Sequence, residues 1–228
     1  MNFDVMIEAL PDLIGGLWLT LGLVALALVL GFAIALPTAL ARLSRFAGVR
    51  AVAGTYVFFF RGTPLLVQIF LIYYGLSQFE SIRDSVFWVV LREPFWCTLI
   101  ALALNTGAYT GEVLRGGILS VPHNQIEAAR AVGMSPVTAF RRIIWPLTIR
   151  QALPAYGNEI ILMVKASSLA STVTLMDITG VARTLAAETY MPIEIYTMAA
   201  VIYLVLTFTM SQVVHLLEWK MDVARARA

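Results

Sequence analysis

Charge is scarce in this chain. Of 228 residues only 13% are Asp, Glu, Lys or Arg, and 60% are hydrophobic. A soluble domain carries about 25% charged and about 45–50% apolar residues. The shortage excludes an ordinary cytosolic enzyme, a disordered chain and a free nucleic-acid binder. Cysteine is limited to Cys97, which excludes a disulfide framework or a thiolate metal site within one chain. The two histidines, His123 and His215, stand far apart and suggest no zinc cluster. No Gly-x4-Gly-Lys-Ser/Thr loop occurs, so the chain has no phosphate cradle of that type. A net charge of +2 is too small to indicate an anionic partner. Apolar length is what the chain has in quantity, and a mean hydropathy of +0.82 marks an integral membrane protein.

A helix needs about 20 mainly apolar residues to cross the hydrocarbon layer. Leu13–Ala41 runs 29 residues without a charge, Gly62–Phe79 and Pro94–Gly111 run 18 each, and Ile195–Leu217 runs 23. Gln151–Met176 is long enough but is interrupted by Glu159 and Lys165. The sequence predicts an all-α membrane protein of five transmembrane helices, about 13–41, 62–80, 94–114, 151–176 and 194–218, in one domain over 1–228. The first run follows Asp4, Glu8 and Asp12 rather than a basic start, and is about twice the roughly 7–15 apolar residues of a signal peptide, so it reads as a retained span.

Basic flanks set orientation. Arg42, Arg45, Arg50 and Arg61, then Arg115, Arg130, Arg141, Arg142 and Arg150, then Lys220, Arg225 and Arg227 fall on one side. Only Arg83, Arg92 and Arg183 fall on the other, which puts the amino terminus outside and the carboxyl terminus inside. Val49–Phe60 reads as a helix at the inner interface, broken from the second span at Arg61-Gly62-Thr63-Pro64. The outer segment Glu80–Glu93 reads as a solvated connector or a contact for a soluble partner.

The inner loop, about 115–150, is organised. Glu127-Ala128-Ala129-Arg130-Ala131-Val132 is a strong helix former, and Gly133 is placed to end it in a left-handed cap. Ser135-Pro136 supplies an N-cap and first-turn proline for a second short helix, expected to stop before Trp145-Pro146. Two readings stand on spacing alone: a hairpin joining two spans, or a knob whose small Ala128 and Ala129 admit a partner surface.

Further residues lie inside the fourth span. Asn158, Lys165, Ser168 and Thr172 follow steps of seven, three and four, one helical face that would line a substrate path. Glu159 lies about 240° around the helix from Lys165. It would meet the cation of a basic amino acid, and Lys165 its carboxylate. The competing reading has both satisfied by protein, Glu159 by Arg115 for example. Glu112 reads as stabilising a subunit interface or helix end, and Arg61 as a lipid-phosphate contact or a brace for the second span.

The loop pattern Glu127-Ala128-Ala129-x3-Gly133-x9-Ile143-x2-Pro146 resembles the "EAA" loop of ATP-binding-cassette importer permeases, with Trp145 where leucine is usual. Phe60-Arg61-Gly62-Thr63-Pro64-Leu65-Leu66-Val67-Gln68 and Ala108-Tyr109-Thr110-Gly111-Glu112-Val113-Leu114-Arg115 resemble signatures of the polar amino acid permeases within that group. Asn158–Met163 and Ala187-Glu188-Thr189-Tyr190 are most similar to M-type subunits of histidine, arginine/ornithine and opine importers. Lys165-Ala166-Ser167-Ser168 stands where the family more often shows Lys-Asp-Thr-Ser, a departure that bears on the substrate.

The resemblance implies a MetI-like permease fold in a bacterial inner membrane. It implies a coupling surface at Glu127, Ala128, Ala129, Gly133, Ser135 and Pro136 for ATP-binding-cassette ATPase subunits, which hold ATP and Mg while this chain binds no cofactor. A periplasmic amino-acid-binding protein and a second permease subunit, of Q type or identical, complete the implied assembly. The competing class is a secondary amino acid transporter driven by an ion gradient through Glu112, Glu159 and Lys165. The absence of an internal repeat weighs against it. A membrane-embedded enzyme would want clustered His, Asp or Cys.

Overall fold

The computed structural model describes residues 2–221, and Arg225 and Arg227 of the basic count lie outside them. Every regular element among the described residues is helical: α1 (Phe3–Arg42), α2 (Ala47–Gly62), α3 (Leu65–Phe70), α4 (Glu80–Arg83), α5 (Trp88–Leu91), α6 (Pro94–Leu119), α7 (His123–Ala131), α8 (Pro136–Ala139), α9 (Trp145–Ala166), α10 (Ile178–Thr189) and α11 (Pro192–Lys220). Helices α1 and α11 are long and apolar enough to cross a membrane alone. Two bent pairs qualify when each is taken as one unit: α2 with 65–78, bent by 107°, and 136–173 with α10, bent by 49°. The 26-residue α6, at about 1.5 Å per residue, is about 39 Å long and exceeds the roughly 30 Å hydrocarbon core.

Helix α1 begins ten residues before the expected 13, because Asn2 caps it by accepting from the Asp4 N–H and Asp4 sits in its first turn. Its main partner is α6. The two approach closely where side chains vanish: a Cβ on Gly31 would overlap the Thr106 methyl, one on Gly107 would lie 3.0 Å from Ile34 Cγ2, and one on Gly111 would lie 3.2 Å from Thr38 Cγ2. Around this seam Leu23, Val24 and Ala27 of α1 pack with Leu99 and Leu102 of α6 and Met163 and Val164 of α9.

The second span departs from a single 62–80 helix. The chain breaks over 63–64, since Pro64 excludes helical geometry from Thr63, whose ψ is 145°. It resumes as α3, a π-turn over Leu71–Gly75 and a 3₁₀ turn over Leu76–Gln78. The connector 80–93 is ordered as α4 and α5.

The second short helix does not stop before Trp145-Pro146. From Pro136 the backbone stays helical through a π-turn at Phe140–Ile144 into α9, and Trp145 itself is right-handed helical (φ −62°, ψ −48°). The π register, bonding five rather than four residues back, absorbs the N–H that Pro146 lacks. The Trp145 ring then anchors this end by packing edge-on to Phe32 of α1, centroids 6.5 Å apart.

The expected 151–176 helix ends as α-helix at Ala166 and tightens into a 3₁₀ stretch, Ser167–Val173. Each of its four hydroxyls donates to a carbonyl three residues back: Ser167 to Val164, Ser168 to Lys165, Ser171 to Ser168 and Thr172 to Leu169. Thr174, left-handed at φ 69°, ends the stretch.

Helix α10 was not anticipated. It starts at Asp177, whose carboxylate accepts the Thr179 and Gly180 N–H groups. It is held against α1 and α11 through Leu13, Ile178, Ala182 and Ile195. Asp177 to Gly180, ahead of Val181 and Leu185, is a capping and spacing signal that the sequence does contain.

Candidate functional site: a coupling knob and two cavities flanking α9

Helix α7 ends in a Schellman arrangement. Gly133 N–H donates to Arg130 O (2.9 Å), Met134 N–H donates to Ala129 O (3.0 Å), and Gly133 takes φ 75°. Ser135 Oγ accepts from Thr138 N–H at 3.2 Å and caps α8, with Pro136 in the first turn. Glu127 is exposed and lies 3.5 Å from His123 one turn back. Ala128 also faces outward, beside a largely exposed Val132. Ala129 does not: it is 1% exposed and turned toward the body of the protein. Of the two alanines only Ala128 is at the surface, because a 3.6-residue period turns adjacent residues about 100° apart.

At the same end of α1 and α6, Glu112 carries the ionic chemistry. Its Oε1 accepts from Arg42 Nε at 3.0 Å and its Oε2 from Arg115 at 2.8–2.9 Å. Arg115 is thus engaged by Glu112 and not by Glu159, since i,i+3 places it over the same turn of α6.

The break between α2 and α3 is stitched from within. Gln68 Nε2 donates to Phe60 O (2.9 Å), Thr63 O (3.1 Å) and Thr63 Oγ1 (2.8 Å), satisfying carbonyls freed at the end of α2. Asn105 of α6 donates to Phe60 O (3.1 Å) and to Gln68 Oε1 (3.0 Å). Arg61 is exposed, its Cζ 5.0 Å from the Tyr109 ring centroid, while Tyr109 Oη donates to Arg61 O at 3.4 Å. The break itself is stitched by Gln68 and Asn105, which spacing alone did not single out as a pair.

Arg61, Asn105, Tyr109 and Glu159 line one cavity of about 510 Å³ between the α2–α3 break, α6 and α9. A neighbouring pocket of about 410 Å³ shares Arg61 and Tyr109 and reaches Arg42 and Glu112. Lys165 and Ser168 line a different cavity, on the α11 side, with Thr179, Tyr196 and Tyr203. Of the expected polar face, Lys165 and Ser168 share this cavity, and Glu159, expected about 240° away from Lys165, lines the other. Glu159 and Lys165 open onto opposite flanks of α9, Asn158 is exposed and lines neither cavity, and Thr172 is half-buried in the 3₁₀ stretch. The switch from 3.6 to 3 residues per turn at Ser167 rotates Thr172 off the line drawn through Lys165. No group of three metal-ligating side chains occurs among the described residues.

The sequence matches the profile of the family described as "Binding-protein-dependent transport system inner membrane component" over residues 27–223. It is 50% identical to the nopaline transport system permease protein NocM of Agrobacterium fabrum, over 96% of this chain and 91% of that one. It is 41% identical to the histidine/lysine/arginine/ornithine transport system permease protein HisM of Escherichia coli K12, over 86% and 82% of the two chains. Among solved structures it resembles an amino acid ABC transporter crystallised with histidines, at a TM-score of 0.86, 38% identity and coverage of 96% and 99%.

Proposed function

This chain belongs to the family of binding-protein-dependent transport system inner membrane components, and on that premise we propose that it is the permease subunit of an ATP-driven importer of basic amino acids or opines. It acts in the inner membrane with ATPase subunits, a periplasmic binding protein and a second permease subunit of Q type. Five spans cross with the amino terminus outside, so that Arg42, Arg115 and the α7–α8 knob face the cytoplasm. The ATPase docks on Glu127, Ala128 and the Gly133–Pro136 elbow, and its closure rocks the permease pair between inward-open and outward-open states. Glu159 lines the substrate path.

The observation that carries this reading is the knob: an exposed short helix, α7, whose exit is fixed by a left-handed glycine and turns into α8, from which the backbone runs helically into α9, the helix that carries Glu159. Movement imposed on α7 is thereby delivered to the cavity. The substrate class follows from the likeness to the nopaline permease and to the histidine/lysine/arginine/ornithine permease.

The test is uptake of labelled arginine, histidine, ornithine and opines by proteoliposomes holding the assembled complex and its binding protein. Uptake is expected to require ATP. Gly133→Pro, which removes the N–H donated to Arg130 and forbids φ 75°, is expected to leave the chain in the membrane and reduce uptake to background. Uptake driven by an ion gradient without ATP, or normal uptake by Gly133→Pro, would overturn the assignment.

A further inference from the structure

A cavity of about 620 Å³ lies away from α9, in the cleft between α1 and α2. Ile34, Pro37 and Ala41 of α1 line one side, and Val49 and Val52 of α2 the other. Of its lining residues only Thr38 and Tyr56 carry polar side chains, and both hydroxyls are already spent. Thr38 Oγ1 donates to Ile34 O at 2.8 Å, and Tyr56 Oη donates to Leu104 O at 2.6 Å. No side-chain donor remains for a polar ligand, so the cleft suits hydrocarbon. It also lies beside a helix short of packing: of the 16 residues of α2, only Ala53 and Val57 are buried.

One end of the cleft is basic. Ala41 and Gly48, on either side of the turn 43–46, both line the cavity, so it runs up to that turn. The turn and the start of α2 carry Arg45 and Arg50, both exposed. Arg50 Nη1 donates to Ser44 O at 3.1 Å, which holds its guanidinium at the turn, and Arg45 Cζ lies 5.4 Å from the Phe46 ring centroid. No Asp or Glu occurs from Leu13 to Phe79. Glu112, which reaches this end from α6, is taken by Arg42 and Arg115. Among the described residues, Arg45 and Arg50 have no acidic partner within 4.0 Å. Two uncompensated cations beside a hydrocarbon-lined cleft complement a molecule with an anionic head and an apolar tail.

We propose that the α1–α2 cleft binds an anionic phospholipid of the cytoplasmic leaflet: one acyl chain lies in the cleft, and the phosphate meets Arg45 and Arg50. The choice of leaflet rests on the orientation read from the basic flanks. The chain supplies the packing that α2 lacks on its α1 side, and so steadies the helix that leads into the 107° bend. A helix of a second permease subunit would fill the same cleft without using the two arginines.

The test counts lipid on the assembled complex. In detergent, the complex is titrated with phosphatidylglycerol or with phosphatidylcholine of the same chains, and bound molecules are resolved by native mass spectrometry. The wild type is expected to hold one phosphatidylglycerol per copy of this chain more tightly than any phosphatidylcholine. Arg45→Gln and Arg50→Gln are each expected to weaken it about fivefold, the contribution of one basic residue at an anionic surface, and to leave phosphatidylcholine unchanged. Gly48→Leu, whose new Cβ meets nothing within 4 Å, fills the cleft without a clash and is expected to displace both lipids. Arg83→Gln with Arg92→Gln removes two cations from the connector 80–93 and should change neither. Equal affinity of the wild type for the two lipids, unchanged phosphatidylglycerol binding in the Arg45, Arg50 or Gly48 variants, or the same loss in the connector variant would each overturn the site. So would an assembled complex that binds no lipid, the outcome expected if a second permease subunit fills the cleft. Titration in detergent is blind to leaflet and judges the cleft alone. The orientation is judged apart, by labelling Arg45→Cys in sealed right-side-out vesicles with a membrane-impermeant maleimide. Reaction from outside would overturn the leaflet and the orientation reading, so the two fail separately.

Discussion

One amide nitrogen closes the end of α2. Gln68 Nε2 reaches Phe60 O, Thr63 O and Thr63 Oγ1, in a region where carbonyls have no water to turn to. Gln68→Leu keeps the volume and deletes the donor, leaving Thr63 O and the Asn105 side chain short of partners. At about 1–3 kcal/mol for each buried group left unpaired, the complex should melt several degrees lower in a thermal scan. An unchanged melting point would mean that lipid or water replaces the amide. The Gln68 position was visible in the sequence as part of a family signature, but its role was not: the acceptors lie five and eight residues away, across a break whose angle only the folded backbone defines.

At the scale of elements, α1 and α6 depend on absent side chains. Gly107 and Gly111 are four apart on α6 and present backbone to Ile34 and Thr38 of α1, the small-xxx-small geometry by which membrane helices pack in the absence of a hydrophobic drive between them. Gly107→Leu must displace Tyr56 Oη, 2.9 Å from a built Cβ, as well as Ile34. Overpacking of this kind costs about 1–3 kcal/mol or more. The variant is expected to lose assembled complex on size-exclusion chromatography, whereas Gly116→Leu, where a Cβ meets nothing within 4 Å, should assemble normally. The spacing of Gly107 and Gly111 was there to be read, yet which helix they face was not. A similar limit applied to 136–166. Pro146 read as a stop, and only the π-turn, a register choice made by packing Trp145 on Phe32, carries the helix through it.

For the whole molecule, the knob is joined through the Gly133–Pro136 elbow to the helical run that reaches the cavity, and the alanines of α7 separate folding from assembly. Ala128 is exposed and Ala129 is 1% exposed. Ala128→Trp should therefore insert and resist heat as the wild type does, yet fail to copurify the ATPase. Ala129→Trp should lower stability before any question of docking arises. If both variants retain the ATPase in equal amount, the partner docks elsewhere than on this face of α7.

Composition and run length alone determined that the chain is a helical membrane protein, because hydrocarbon admits only long apolar segments whose backbone groups bond within themselves. Local chemistry also determined the left-handed Gly133, the Ser135-Pro136 start and the break before Pro64, each a matter of adjacent residues. The tertiary structure decided which charges meet. Arg115 found Glu112, Lys165 turned to the α11 side, and Arg61 came to share a cavity with Glu159 although 98 positions separate them. Spacing along a helix orders residues only while its period holds, and neighbours across helices are set by the glycine seam, the 107° bend and the 3₁₀ turn.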